Sequence, residues 1–118
     1  MSEQEAATYI AELIKRARNA QDEIEFATQE QVDDVCKRLA WSGVRPDFAE
    51  GFAEMCARDT GMGFAPHKYA KLQTKIKGAL RDMIGKQSVG VVYDNPEIGI
   101  RRIAKPMGVI GALITPIG

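Results

Sequence analysis

The chain has 118 residues, which is enough for one domain with a modest hydrophobic core. Sixteen acidic and sixteen basic residues give a net charge of zero, which argues against a dedicated nucleic-acid-binding protein or an acidic solvating tail. Two cysteines are too few for a disulfide framework, no signal-peptide pattern opens the chain, and no apolar run reaches the about 20 residues that span a bilayer, so the composition predicts a reduced, cytoplasmic protein.

The first predicted element is an amphipathic helix. Ser2 and Glu5 have the spacing of a capping box, in which each side chain satisfies a free backbone N–H at the start of a helix. A polar connector is predicted over residues 19–27. The apolar residues between the capping box and the connector fall on one face at steps of three and four: Ala6, Ile10, Leu13, Ile14 and Ala17.

Three further helices are predicted, each from a start signal followed by an apolar stripe. Thr28 with Gln31 repeats the capping pattern. Pro46 and Pro66 suit the first turn of a helix, where the missing proline N–H costs nothing. Glycines that can end these helices in the left-handed conformation follow at Gly43, Gly61 and Gly85.

The pattern then changes from helix to strand. Residues 89–93 are β-branched and aromatic, residues 94–97 form a turn cluster, and residues 98–104 read as a second strand, so a hairpin is predicted. Residues 107–118 are almost continuously apolar, which is typical of a strand buried on both faces of a parallel sheet. The next parallel strand would need a crossover of about a dozen residues or more, so the sequence predicts the front end of a larger protein.

Three residues with catalytic or metal-binding potential stand in unfavourable contexts. His67 is the only histidine, and with Cys36 and Cys56 it lacks the closely spaced ligand pairs of zinc sites. No serine or cysteine lies in a motif that would activate it as a nucleophile. We therefore predict no metal site, a surface histidine in the first turn of the fourth helix, and two cysteines that pack in the core.

Basic residues concentrate in the fourth predicted helix, residues 67–84. Lys68, Lys71 and Lys75 line one flank of its apolar stripe, and Lys77 lies on the other flank. Such a surface could touch phosphates, in which case its affinity would fall steeply with salt. A solvated rim, or a rim that faces the acidic N-terminal helices, is the simpler interpretation, and nucleic-acid binding ranks last.

The last quarter of the chain carries a specific family resemblance. It consists of SVGVVY at residues 88–93, DNPEIGIRR at 94–102 and IAKPMGVIGALITP at 103–116. These stretches resemble the aldehyde dehydrogenase superfamily, and within it the coenzyme-A-acylating branch, which includes acetaldehyde and sulfoacetaldehyde dehydrogenases. The stretch ARDTGMG at 57–63 is similar to the helix end that precedes them in that family. The resemblance covers most of the chain from about residue 28 onward.

The resemblance implies the order of parts in an α+β fragment of an α/β enzyme. Residues 1–86 would form an N-terminal helical region, residues 87–106 the hairpin of the arm through which subunits associate, and residues 107–118 the first strand of a truncated dinucleotide-binding domain. The implied assembly is a homo-oligomer held through the hairpin and the terminal strand, with no membrane or nucleic acid as a partner.

The resemblance also implies a chemistry, the NAD- or NADP-dependent conversion of an aldehyde and coenzyme A into an acyl-coenzyme A. Ile114, Thr115 and Pro116 would end the first nucleotide-binding strand, where the family contacts the nicotinamide cofactor. The family's catalytic cysteine lies far downstream, and neither Cys36 nor Cys56 matches it. Covalent catalysis needs that nucleophile, so the chain alone is expected to be inactive and no catalytic residue is assigned.

The main alternative is a small interaction module. The hairpin and the terminal strand leave unpaired edges, and exposed edges recruit other strands. A chain of this kind would associate with a second copy or bind another partner, because either pairing would cover those edges.

Overall fold

The structure, a computed structural model, describes residues 2–113. Its elements are α1 (Glu3–Ile24), α2 (Gln29–Val44), α3 (Pro46–Thr60), α4 (Ala65–Met83), β1 (Gly90–Asn95) and β2 (Ile100–Ala104). The predicted α+β order is confirmed, since four helices precede a two-stranded antiparallel hairpin. The chain divides into two compact units, one with residues 2–29 and 87–113 and the other with residues 30–86. The domain boundaries after residues 86 and 106 stay a prediction.

In the first unit, α1 begins with the predicted capping box. The Glu5 backbone N–H donates to Ser2 Oγ at 3.2 Å, and the Ser2 backbone N–H donates to Glu5 Oε2 at 2.7 Å. The helix then runs to Ile24, so the polar connector predicted over residues 19–27 is wrong for most of its length. Unbranched polar side chains such as Gln21 and Glu23 have good helix propensity, and they continue a helix whose face is solvated.

The hairpin pairs β1 with β2 in a register that runs from Gly90 opposite Ala104 to Asn95 opposite Ile100, with an irregularity between Val91 and Tyr93. Its turn lies at residues 96–99, two residues later than predicted. The shift follows from the Asn95 side chain. Its Oδ1 accepts hydrogen bonds from the backbone N–H groups of Glu97, at 3.0 Å, and Ile98, at 3.3 Å. These bonds close the turn after Asn95 rather than before it.

The strand expected in residues 107–118 is not formed within the part of it that the structure describes, residues 107–113. Residues 105–113 contain neither helix nor strand, and the side chains of Ile110 and Leu113 are exposed. A strand exists only through backbone pairing with a neighbour, and the hairpin is the sheet that the described residues form. The burial on both faces that the apolar pattern predicts is therefore not met in the single chain.

One glutamine side chain fixes the entry to the hairpin. Gln29, the first residue of α2, accepts with Oε1 the backbone N–H of Ser88 at 2.7 Å and that of Val89 at 3.1 Å. Its Nε2 donates to Ser88 Oγ at 3.1 Å. The amide thus joins two stretches of chain that lie 59 residues apart in sequence. It gives partners to backbone groups that precede the first ladder residue, Gly90.

Replacing Gln29 with methionine, which has a similar length but no amide, should release the start of β1. Each lost hydrogen bond is worth about 0.5–1.5 kcal/mol. We expect faster hydrogen exchange at the Ser88 and Val89 amides, measured by NMR, and a loss of about 1–2 kcal/mol in local opening free energy. The matched variant Gln4→Met, at an exposed position of α1, should leave both amides protected. Unchanged exchange in Gln29→Met would show that the clamp does not hold the hairpin.

In the second unit, α3 packs against α4. Pro46 begins α3 and Gly61 ends it with a φ of 62°, as predicted. Ala49 and Ala53 lie one helical turn apart and are 0% and 1% exposed, and Val44 is 6% exposed. Two alanines at this spacing make a shallow groove on α3, into which the side chains of α4 fit.

Gly43 does not end α2, contrary to the prediction. The helix continues through it to Val44, whose carbonyl oxygen accepts a hydrogen bond from Gln73 Nε2 at 2.6 Å. A Cβ at position 43 would lie 2.9 Å from Ile76 Cδ1. The glycine therefore permits a close approach between α2 and α4, and the Gln73 amide from α4 satisfies a free carbonyl at the helix end.

Enlarging the most buried residue should destabilise this unit. Ala49→Leu adds methylene groups at a site with no free space, which typically costs about 1–3 kcal/mol in the free energy of unfolding. Denaturant unfolding followed by far-UV circular dichroism should show a lower midpoint. The control is Ala70→Leu, at an exposed position of α4, which should change stability by less than about 0.5 kcal/mol. Equal midpoints for the two variants would contradict the tight packing of α3 on α4.

Candidate functional site

A groove opens between α3 and α4 within the unit of residues 30–86. Its volume is about 200 Å³. We call it the lysine groove, and it is lined by Phe52, Ala53, Cys56, Lys68, Lys71, Leu72, Lys75 and Ile76. Every one of these residues belongs to α3 or α4, so the packing of these two helices alone determines its shape.

The floor of the lysine groove is apolar because both helices turn their hydrophobic stripes toward each other. On α3 the stripe includes Phe52 and Cys56, one helical turn apart. The Phe52 ring stacks on Phe48 with centroids 5.4 Å apart and an interplanar angle of 17°, which supports that wall. On α4 the stripe includes Leu72 and Ile76 at the same spacing. The result is a hydrophobic surface that remains open to solvent.

The rim of the groove is positively charged. Lys68, Lys71 and Lys75 follow one another at steps of three and four, which places them on one flank of α4. Lys68 is half-buried and lies over Gly63, since a Cβ there would be 3.7 Å from Lys68 Nζ. Lys71 and Lys75 are exposed. The predicted basic flank is therefore confirmed, and α3 supplies the apolar surface beside it.

The three lysines of this rim have no close carboxylate partner among residues 2–113. Arginine forms five ion pairs among residues 2–113: Arg38 with Asp34, Arg45 with Asp47, Arg58 with Asp59, Arg81 with Asp82 and Arg101 with Asp94. No carboxylate of these residues lies within 4.0 Å of a lysine ammonium of the rim. Three cations beside an apolar floor can attract a negatively charged group.

The other candidate residues take less suggestive positions. His67 is exposed in the first turn of α4, as predicted, and meets the Phe64 ring edge-on with centroids 5.4 Å apart. Cys36 and Cys56 are half-buried free thiols. Over the described range, no three His, Cys, Asp or Glu side chains come close enough together to hold a metal ion. Periodicity indicated that Cys56 faces inward, but the sequence carried no signal that it lines a groove.

The hairpin offers a second surface. Val91 and Ile103 are cross-strand partners and are 43% and 57% exposed, so an apolar pair faces solvent. Beside it, Arg101 donates to Asp94 Oδ2 at 2.7 and 3.0 Å across the strands. A two-stranded sheet leaves each strand with one edge that lacks a partner among the described residues. We call the Val91 and Ile103 side chains the apolar hairpin pair.

The predicted cofactor contacts Ile114, Thr115 and Pro116 lie outside the described residues. Between residues 2 and 113, no helix combines the length and the apolarity that crossing a membrane requires.

Comparison with known proteins gives close relatives over most of the chain, although no family model matches it. It is 38% identical over 108 residues to a sulfoacetaldehyde dehydrogenase from Acholeplasma sp, which covers 92% of this chain and 22% of that enzyme. It is 40% identical over 113 residues to an acylating sulfoacetaldehyde dehydrogenase from Cupriavidus necator. This match covers 96% of this chain and 23% of that enzyme. It is 39% identical over 108 residues to an acetylating succinate-semialdehyde dehydrogenase from Clostridium kluyveri. This match covers 92% of this chain and 23% of that enzyme.

Proposed function

The chain is homologous to a segment of the acylating aldehyde dehydrogenases, and we propose that it supplies part of an enzyme of that kind. The proposed reaction converts an aldehyde, coenzyme A and NAD(P)⁺ into an acyl-coenzyme A, NAD(P)H and a proton. The observation that supports it is the 38–40% identity over at least 92% of the chain. The chain spans less than a quarter of the length of these relatives, so the activity is proposed for a longer assembly.

The division of labour within that enzyme follows from what the described residues contain. Cys36 lies in α2 and Cys56 lines the lysine groove, and neither matches the catalytic cysteine that the family resemblance implies. Thiolate attack on the aldehyde therefore has no candidate nucleophile in this segment. We propose that residues 2–113 contribute structure and association surface, and that the isolated chain has no dehydrogenase activity.

The relatives also suggest a class of substrate. Two of them act on sulfoacetaldehyde and one acts on succinate semialdehyde, according to their names. The first aldehyde carries a sulfonate, and the second carries a carboxylate at the end opposite the aldehyde. We propose that the enzyme to which this chain contributes takes a small aldehyde with an anionic group.

A chimaera tests this function. The matched segment of the Cupriavidus necator enzyme, which aligns over 113 residues, is replaced by this chain. We expect the chimaera to reduce NAD⁺ or NADP⁺ when sulfoacetaldehyde and coenzyme A are both present, as followed by absorbance at the NAD(P)H band. The isolated chain should give no reduction under the same conditions.

The control replaces the same segment with a flexible glycine–serine linker of equal length, and this protein should be inactive. A chimaera that folds, as judged by circular dichroism and gel filtration, yet shows no aldehyde-dependent reduction would count against the proposed function. Reduction by the isolated chain would refute its expected inactivity.

The hairpin supports a second part of the proposal, that the chain associates with copies of itself. Its edges lack partners among residues 2–113, and the apolar hairpin pair is exposed. Pairing of hairpins from two subunits would extend the sheet and cover these side chains. Residues 105–113 are exposed as well, and they lie directly after β2, where they could join the same contact.

A charge in the apolar hairpin pair should weaken this association. We expect Ile103→Lys to lower the average mass measured by sedimentation equilibrium, because pairing would bury the ammonium without a partner. The matched control is Ile98→Lys, since Ile98 is 62% exposed but lies in the turn rather than in a strand. A wild-type chain that stays monomeric at millimolar concentration, or equal effects of both variants, would argue against association through the strands.

A further inference from the structure

We infer that the lysine groove binds the anionic group of a small organic acid or aldehyde, a sulfonate or a carboxylate, with Lys68, Lys71 and Lys75 as its recognising side chains. This inference deepens the proposed function, on which it rests for the identity of the ligand. Nothing in the chemistry of aldehyde oxidation itself is assigned to these lysines. Their suggested role is to select a charged substrate over a neutral one.

Charge complementarity is the first argument. The three relatives described above are named for aldehydes that each carry one anionic group, and the groove carries three ammonium groups on one side. Within residues 2–113 none of the three has a carboxylate within 4.0 Å of its ammonium group. The lysines are thus available to an external anion, and lysine ammoniums form charge-assisted hydrogen bonds with such oxygens.

The size and lining of the groove are the second argument. Sites for drug-sized ligands measure about 300–1,000 Å³. A groove of about 200 Å³ suits a molecule with only a few carbon atoms. Its floor of Phe52, Leu72 and Ile76 excludes water on one side, and an ion pair is stronger where water is partly excluded.

The arrangement of the lysines favours a small anion over a nucleic acid as the ligand. A nucleic-acid surface would spread its cations along a path that tracks successive phosphates. Here Lys68, Lys71 and Lys75 share one flank of a single concavity, while Lys77 lies on the other flank of the helix and does not line the groove. A compact cluster beside an apolar floor fits one anionic group with a short carbon chain.

NMR titration of the complete 118-residue chain tests the site directly. The probes are ethanesulfonate and propionate, unreactive molecules that each carry one anionic group on a two-carbon chain, with propanol as the neutral control. We expect saturable amide shifts that are concentrated at residues 52–56 and 68–76, with dissociation constants in the millimolar range. Propanol should cause no saturable shift. The two acids distinguish a preference for sulfonate from a preference for carboxylate.

Substitutions test whether the three lysines bind the anion. Changing Lys68, Lys71 and Lys75 together to glutamine should weaken binding by about tenfold, the loss expected when charge-assisted hydrogen bonds are removed. Arginine at the same three positions should retain the affinity, which separates charge from shape and shows that the site tolerates substitution. Lys77→Gln should bind like the wild-type chain. Equal binding by the triple glutamine variant, or shifts centred outside the groove, would overturn the inference.

The same substitutions in the chimaera keep this inference distinct from the proposed function. We expect the triple glutamine variant to raise KM for sulfoacetaldehyde by about tenfold with kcat and the KM for acetaldehyde unchanged. If the chimaera is active and the triple glutamine variant leaves its KM for sulfoacetaldehyde unchanged, the enzyme assignment stands and the inference about the groove is refuted. An inactive, folded chimaera with intact acid binding in the titration would support the groove and contradict the enzyme.

Discussion

The close approach of α3 to α4 is the contact on which the unit of residues 30–86 depends. Ala49 and Ala53 of α3, together with Val44 at the end of α2, are the buried apolar residues of the described range, while many large apolar side chains remain exposed. So much uncovered apolar surface is unusual for a monomer, and it is what the association proposed above would cover. The small side chains allow the two helices to approach closely, and the lysine groove lies along this contact. The long lysine side chains of α4 form the rim of the groove.

Local chemistry accounts for the part of the fold that the sequence could predict. The capping box of Ser2 and Glu5, Pro46 at the start of α3 and Gly61 at its end each act through their own backbone neighbours, so their outcome did not depend on the tertiary structure. Gly43 shows the opposite case. A glycine near the end of an apolar stripe predicts a helix end, but its role here comes from Ile76, 33 positions away.

The β region shows why pattern alone was insufficient there. Alternation located the hairpin, because β1 and β2 pair with each other and need no other element. The position of the turn depended on side-chain hydrogen bonds of Asn95, which composition does not reveal. The apolar run over residues 109–113 required a neighbour to become a strand, and the described residues contain none for it. The cofactor contacts assigned to residues 114–116 depend on that same strand and stay a prediction.

The sequence predicted the basic rim of the lysine groove but not its apolar floor. Helical spacing placed Lys68, Lys71 and Lys75 on one flank, but only the packing of α3 shows that they border an apolar concavity. An apolar segment that lay over the floor would lie beside three ammonium groups, and burying any of them without a partner would be strongly unfavourable. An anion removes that cost, because it satisfies the lysines while the floor stays covered. The rim therefore favours a negatively charged occupant over a purely hydrophobic one, whether the groove faces solvent or lies within a larger enzyme.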